Sequence, residues 1–283
     1  MAQEIIIPQT RMIKARLFEA LQVNGIETAL AACIEAKHYP LYMPQVVDAR
    51  IGAAKDSPLF QNWWTTPSVR VTGKSKGGKA VVVYGHNPNY FSDPANIKKA
   101  REEGLRYGAG IMPVPDFYAL LDREDGKTVF VVDYDKLRAA ESDLVSVSDA
   151  LEHPQTIPFL GGRERAEQYL AKHVQVYGSR IGIWHSDDLD EKPRGRLLFL
   201  GYGEGDGLIG DYLDDSGCFV GVWAAEAREC GLVREAPRKN AASVYSVNAR
   251  TGPTMDELLT DAKVFVAPAA WAAFEKKVKA RYQ

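Results

Sequence analysis

Hydrophobic residues along this chain form short runs separated by polar segments that contain glycine or proline. Three consecutive valines at 81–83 are typical of a strand that is covered on both faces. The run ends at Gly85, and Pro94 suits the first turn of a following helix. In parallel α/β sheets, ligands bind beyond the carboxyl ends of strands. The polar loop at 86–93 is therefore where we first expect a functional site.

The first part of the chain has a helical pattern. Apolar residues within 9–37 recur at three-to-four spacing, with a break near residues 24–25, which predicts a helical hairpin or a kinked pair of helices. Prolines in the following segment favour an irregular connection. We predict a helical N-terminal lobe and connection at 1–67 and a mixed α/β body at 68–283, and a single domain containing both is the alternative.

The body alternates between strand and helix patterns. Residues 68–84 are typical of a β-hairpin, and 163–177 have the apolar face of an amphipathic helix. Further strands are predicted at 181–184, 197–200 and 219–223. Interleaved strands and helices indicate an α/β fold, or a mixed α+β fold, with a mixed sheet and an N-terminal helical appendage.

The carboxyl-terminal part repeats this alternation. Strands are predicted at 244–247 and 264–267, and helices are predicted to begin near Thr254 and Pro268. With these elements, the predicted mixed α/β body extends to residue 283.

Composition narrows the class of protein. The net charge of −2 and the pI of about 6.2 disfavour nucleic-acid binding, which usually needs a basic surface. The three cysteines form no CxxC motif, so a reducing compartment fits better than a disulfide framework. The apolar runs are too short to span a bilayer. We expect a soluble, cytoplasmic protein with no membrane partner.

Two nucleotide-binding motifs match in letters but not in context. Residues 73–79 satisfy GxxxxGK, but Ala80 cannot hold magnesium and a strand pattern follows. Residues 205–210 satisfy GxGxxG, but too few residues follow for a crossover helix. P-loop nucleotides and NAD are therefore disfavoured as cofactors. The acidic residues between 204 and 215 lack EF-hand spacing, so we interpret this segment as a solvated loop.

Four residues at the ends of predicted strands are candidates for catalysis. His86, His185, Asp133 and Asp187 could act as acid, base or orienting carboxylate. The first three could also hold a divalent metal, because imidazole and carboxylate groups suit zinc, iron or manganese. This hypothesis requires parallel, adjacent strands. The alternative is that these side chains make turn hydrogen bonds or cap helices.

Polar and aromatic residues around the first strand are candidates for ligand binding. These are Asn87, Asn89, Tyr90, Trp63 and Trp64. Aromatic side chains line pockets or form protein-binding surfaces, although they are more often part of the core. Two adjacent tryptophans cannot easily bury both rings on one side, so we expect one of them at an interface.

Two functions from different classes fit this sequence. The first is a hydrolase-like enzyme that acts on a small polar or phosphorylated substrate through the His/Asp site. The second is a non-catalytic assembly subunit or binding module that uses an aromatic-rich surface. The partner would be a small-molecule ligand or a protein, and a homo-oligomer is compatible with either function. Whether the chain is an enzyme stays open at this point.

Overall fold

The computed structural model of this protein describes residues 4–8, 12–185, 189–205 and 207–233. Its contacts divide the chain into two compact units, Met1–Arg234 and Glu235–Gln283. Asp187 and the elements predicted after residue 240 lie outside the described residues. The predicted division after residue 67 stays a prediction.

The strands of the described residues form two sheets. The first sheet has the order β1–β2–β12–β3, and the second has the order β7–β5–β4–β10–β11–β9–β8, with β6 paired to β10. Their bounds are β1 Glu4–Pro8, β2 Met12–Ala20, β3 His38–Pro40, β4 Trp64–Lys74, β5 Ala80–Gly85, β6 Gly110–Ile111, β7 Val129–Asp133, β8 Asp143–Ser146, β9 Arg180–Ile183, β10 Arg194–Leu200, β11 Leu208–Gly210 and β12 Gly217–Trp223.

Helices are distributed among these strands, and a short 3-10 turn spans Tyr90–Ser92. The helices of the described residues are α1 Gly25–Glu35, α2 Met43–Gly52, α3 Pro58–Gln61, α4 Pro94–Glu102, α5 Val114–Leu121, α6 Tyr134–Arg138, α7 Val147–Ala150, α8 Thr156–Leu160, α9 Arg163–Val176 and α10 Ala224–Glu229. The predicted fold class, a mixed sheet with interleaved helices, is confirmed.

The second sheet separates two hydrophobic cores. Val82 belongs to the core that contains α2, α8 and α9, whereas Val83 belongs to the core that contains α1, α4 and α5. Successive side chains of a strand point to opposite faces. The valine run is therefore buried on both faces, as its composition predicts.

The helical prediction for the first part of residues 9–37 is wrong. Met12–Ala20 is strand β2, and Ile13, Ala15, Phe18 and Ala20 are buried while most of their neighbours are exposed. This is close to the period of two expected for a half-buried strand. Gly25 begins α1 instead of interrupting a helix, and there the helical prediction is confirmed.

The predicted hairpin at 68–84 is confirmed as the antiparallel pair β4–β5, and residues 73–79 lie at its turn. The expectation of parallel neighbours is wrong, because β5 is antiparallel to both β4 and β7. Among the described strands the parallel pair is β11–β9. The carboxyl end of β5 therefore does not lie at the kind of crevice in which parallel α/β sheets bind their ligands.

Strand β12 connects the two sheets. It lies between β2 and β3 in the first sheet, and the backbone N–H of Cys218 donates a hydrogen bond to Thr65 Oγ1 of β4 at 3.4 Å. β12, the last described strand, therefore pairs with β2 and β3 of the first sheet and is hydrogen-bonded to β4 of the second. No helix within the described ranges is long and apolar enough to cross a membrane.

Candidate functional site

His86, the first candidate for catalysis, is a buried structural residue. Ser68 Oγ accepts the backbone N–H of Met43 at 2.8 Å and lies 3.0 Å from His86 Nδ1. His86 Nε2 lies 2.7 Å from the carbonyl oxygen of Pro158, to which it can only donate. The bond to the Pro158 carbonyl requires a proton on Nε2, and in a neutral ring Nδ1 then accepts the Ser68 hydroxyl. Burial lowers the pKa of His86 to about 4. Both ring nitrogens are occupied, so neither is free to ligate a metal.

Asp133 lies at the opposite end of the same strand pair. It is opposite Val81 in β5, whereas His86 follows the end of that strand. Five residues of strand separate the two positions, which is about 17 Å at ~3.4 Å per residue. Asp133 Oδ1 accepts the backbone N–H of Lys136 at 3.0 Å, and its other oxygen pairs with Lys79 Nζ at 2.8 Å. The hydrogen bond and charge of Lys79 lower the pKa of Asp133.

His185 follows β9 and packs at a tilt against another histidine, His153, with ring centroids 5.5 Å apart. Burial, with the charge of Arg70, lowers the pKa of His185 to about 4. No group of three His, Cys, Asp or Glu side chains in the described part of the chain is arranged to hold a metal ion. His86 and Asp133 are not brought together, and Asp187 lies outside the described residues.

The polar residues after β5 hold the loop in shape. Asn89 Oδ1 accepts the backbone N–H of Phe91 at 3.0 Å, and its Nδ2 donates to the carbonyl oxygen of Pro67 at 2.9 Å. Asn87 Nδ2 donates to Thr128 Oγ1 at 3.3 Å. Tyr90 is half-buried and packs edge-on against Phe91, with centroids 5.1 Å apart. These contacts give Asn87 and Asn89 structural roles, and their binding of a ligand stays a prediction.

The adjacent tryptophans have different environments. Trp64 is fully buried in β4, and its Nε1 donates to the carbonyl oxygen of Leu59 at 2.9 Å. Trp63 is half-buried and stacks on Phe199 of β10, with ring centroids 5.4 Å apart. Trp63 therefore retains some accessible surface, whereas Trp64 is a core residue.

The most exposed tyrosine in the described residues lies in a tight turn between α4 and β6. Arg106 and Ala109 exchange two backbone hydrogen bonds, of 3.0 and 2.9 Å, across Tyr107 and Gly108. Tyr107 is 65% exposed and has φ of 49°, a left-handed conformation that is uncommon outside glycine. Such backbone conformations cluster at ligand-contacting sites. The turn projects an aromatic ring into solvent.

A second exposed tyrosine packs against this turn. Tyr212 is 48% exposed, and a Cβ added at Gly108 would lie 2.5 Å from its ring. Only glycine therefore permits this packing. The backbone N–H of Leu213 donates to the carbonyl oxygen of Gly108 at 2.9 Å, which joins the two loops. We call Arg106, Tyr107, Gly108 and Tyr212 the tyrosine surface.

Two arginines and a buried carboxyl group lie close to the two tyrosines of this surface. The Arg106 guanidinium lies 5.9 Å from the Tyr107 ring centroid, and that of Arg196 lies 5.0 Å from the Tyr212 centroid. Next to Tyr212, Asp211 is buried and accepts a hydrogen bond from Thr65 Oγ1 at 2.8 Å. Burial raises the pKa of Asp211 to about 7. The sequence offered little signal for this site, because Asp211 and Tyr212 belong to a segment interpreted as a solvated acidic loop.

Comparison with known proteins gives one informative relative. A solved structure described as "Accommodation of massive sequence variation in Nanoarchaeota by the C-type lectin fold" is 50% identical to this chain, with a TM-score of 0.70. The match covers 74% of this chain and 98% of that one. No protein-family model matches the chain. No curated protein matches it either.

This relative corrects the functional hypothesis. A hydrolase-like enzyme is wrong as the main interpretation, because the relative has a C-type lectin fold, which is a binding module. The metal-binding hypothesis has no support from this relative either. The findings favour the alternative, a non-catalytic module with an aromatic-rich surface.

Proposed function

Because this chain belongs to the family of C-type lectin-fold proteins represented by that nanoarchaeal structure, we propose that it is a non-catalytic binding module. Its ligand-binding surface is the tyrosine surface. One observation carries this assignment: two exposed tyrosines lie on two loops that a backbone hydrogen bond and a required glycine hold together. Neither ring is placed there by burial in a core.

The partner that suits this surface is a protein. Tyr107 is 65% exposed and Tyr212 is 48% exposed, so a partner with a concave or flexible surface can cover both side chains. Tyrosine and arginine are the residues most enriched at energetic centres of protein interfaces. Tyrosine offers a large contact area with few rotatable bonds, so little side-chain entropy is lost on binding.

Sequence variation also fits this arrangement. The relative's description says that the C-type lectin fold accommodates massive sequence variation in Nanoarchaeota. In the present chain Tyr107 is 65% exposed and Tyr212 is 48% exposed, and substitutions of exposed side chains that keep the backbone conformation usually change stability by no more than about 0.5 kcal/mol. We propose that this surface can change its sequence, and hence its partner, while the strands beneath it stay the same.

A peptide-display selection tests this proposal. Random peptides selected on the wild-type chain should lose at least about tenfold in affinity, or ~1.4 kcal/mol, for the Tyr107→Asn and Tyr212→Ala variants. Asparagine is chosen at position 107 because it tolerates the left-handed conformation. The matched control is Trp223→Ala on the other sheet, since Trp223 is also 48% exposed. Peptides that depend on Trp223 and not on the tyrosines would refute the assignment.

A further inference from the structure

A third turn is joined to the loops that carry the tyrosine surface. It connects β2 to α1 and spans residues 21–24, and we call it the β2–α1 turn. The backbone N–H of Asn24 donates to the carbonyl oxygen of Asp214 at 2.7 Å. The N–H of Asp215 in turn donates to the carbonyl oxygen of Tyr212 at 3.0 Å. Backbone hydrogen bonds therefore link the β2–α1 turn to the loop of Tyr212, which is itself bonded to the turn of Tyr107.

The β2–α1 turn is built like the turn of Tyr107. Asn24 has φ of 64°, a left-handed conformation, and is followed by Gly25. A Cβ added at Gly25 would lie 2.0 Å from the carbonyl oxygen of Ala20 and 3.0 Å from the backbone nitrogen of Gly217, where β12 begins. Only glycine permits this contact between the two segments. The turn is held in one position, and a preorganised surface loses less entropy when it binds.

The side chains that this turn exposes are apolar. Val23 is 75% exposed and Leu21 is 66% exposed. With Tyr107 they are three of the four most exposed large hydrophobic residues in the described ranges. Single exposed apolar residues are normal on a protein surface, whereas clustered ones mark interaction sites. The joined loops therefore concentrate exposed apolar residues in one region of the molecule.

Two exposed carboxylates give this region its charge. Asp214 and Asp215 both lie in the segment that is bonded to the β2–α1 turn. Asp215 Oδ1 accepts the backbone N–H of Ser216 at 2.7 Å, whereas the Asp214 carboxylate forms no hydrogen bond or ion pair within the part of the chain that the structure describes. Such a carboxylate is complemented by lysine or arginine of a partner. Complementary charge contributes specificity and association rate more than affinity.

We propose that the β2–α1 turn and the tyrosine surface form one continuous protein-binding surface, and that this surface selects an apolar, basic segment of its partner. This inference rests on the proposed function and names the class of partner. Leu21 and Val23 contact apolar side chains of that segment, and Asp214 pairs with its lysine or arginine.

Substitutions in the turn test the apolar contribution. The probes are the peptides selected on the wild-type chain that lose affinity for Tyr107→Asn. They should bind the Leu21→Ser and Val23→Ser variants about tenfold more weakly. The matched control is Met12→Ser, since Met12 is 69% exposed and begins the same strand, about 27 Å from Ala20 at ~3.4 Å per residue. It should leave peptide binding unchanged. All three variants should unfold at the urea concentration of the wild type, because these side chains are exposed.

Charge reversal at Asp214 tests the basic character of the partner. The tyrosine-dependent peptides should contain more lysine and arginine than the starting library. The Asp214→Lys variant should bind them at least about twofold to fivefold more weakly. A peptide whose basic residue is replaced with glutamate should bind Asp214→Lys better than it binds the wild type, because opposite charges then meet again.

The outcomes separate this inference from the proposed function. Peptides that require Tyr107 and Tyr212 but bind the Leu21→Ser and Val23→Ser variants unchanged overturn the inference and leave the proposed function in place. Undiminished binding to Asp214→Lys overturns it as well, and so does an equal loss for Met12→Ser. A selection that yields no tyrosine-dependent peptide overturns both.

Discussion

Replacing His86 with glutamine tests whether this histidine is structural. In the wild type its ring nitrogens lie 3.0 Å from Ser68 Oγ and 2.7 Å from the Pro158 carbonyl oxygen. A net hydrogen bond contributes about 1 kcal/mol, and a buried group left without a partner costs about 1–3 kcal/mol. The His86→Gln variant should therefore be less stable than the wild type by about 1–3 kcal/mol at neutral pH.

The size of this difference should depend on pH. The pKa of His86 falls from 6.5 to about 4 in the folded state because the ring is buried. As pH decreases through this window, the unfolded state takes up a proton that the folded state refuses, so the wild type loses stability. At about 1.4 kcal/mol per pKa unit, the loss approaches ~3 kcal/mol near pH 4. Glutamine does not titrate, so the advantage of the wild type should shrink or reverse.

Urea denaturation of both proteins across this pH range measures the difference, and contributions shared by both proteins cancel in it. Val83→Ala on the neighbouring strand is a suitable control, because Val83 is buried and does not titrate, so its cost should stay constant with pH. A wild-type advantage over His86→Gln that stays constant from pH 7 to pH 4 would show that His86 protonates freely. It would refute the structural role assigned to the neutral ring.

Two further predictions concern buried charged groups. Arg50 is fully buried and donates to the carbonyl oxygens of Leu59, Asn62 and Gly201 at 2.9, 2.8 and 2.7 Å. Arg50→Met should therefore lower the free energy of unfolding by about 3–5 kcal/mol in urea titrations. The folded pKa of Asp211 is about 7, above its usual 3.8, so wild-type stability from this group is lost as pH rises from about 4 to 7. At pH values above 7, the Asp211→Asn variant should therefore unfold at a higher urea concentration than the wild type, whereas near pH 4 the two midpoints should be similar. A variant that is less stable than the wild type at high pH would contradict this.

The sequence predicted the strands and helices better than it predicted how they associate. The valine run at 81–83 was correctly assigned as a doubly buried strand because its composition is local information. Met12–Ala20 was misassigned, since Met12 and Leu17 of this strand are apolar without being buried, which imitates helical spacing. Strand direction was also misassigned, because pairing partners are set by contacts between distant residues.

The candidate site shows the same limit. His86 was a reasonable catalytic candidate in the sequence, but its hydrogen-bond partners are 18 and 72 residues away. No local pattern indicates that Ser68 and Pro158 occupy both ring nitrogens. The tyrosine surface was missed for a related reason. Tyr107 and Tyr212 are 105 residues apart in the sequence, and the hydrogen bond from Leu213 to Gly108 is what joins them.

The tyrosine surface divides into residues that build it and residues that it displays. Gly108 and Asp211 build it, because a side chain at Gly108 would collide with the Tyr212 ring and Asp211 is anchored to Thr65 of β4. Tyr107 and Tyr212 are displayed, because Tyr107 is 65% exposed and Tyr212 is 48% exposed. Packing and hydrogen bonding constrain the first pair, whereas under the proposed function partner choice constrains the second. A fold that keeps these two demands on different residues can change its displayed side chains without losing the backbone that positions them.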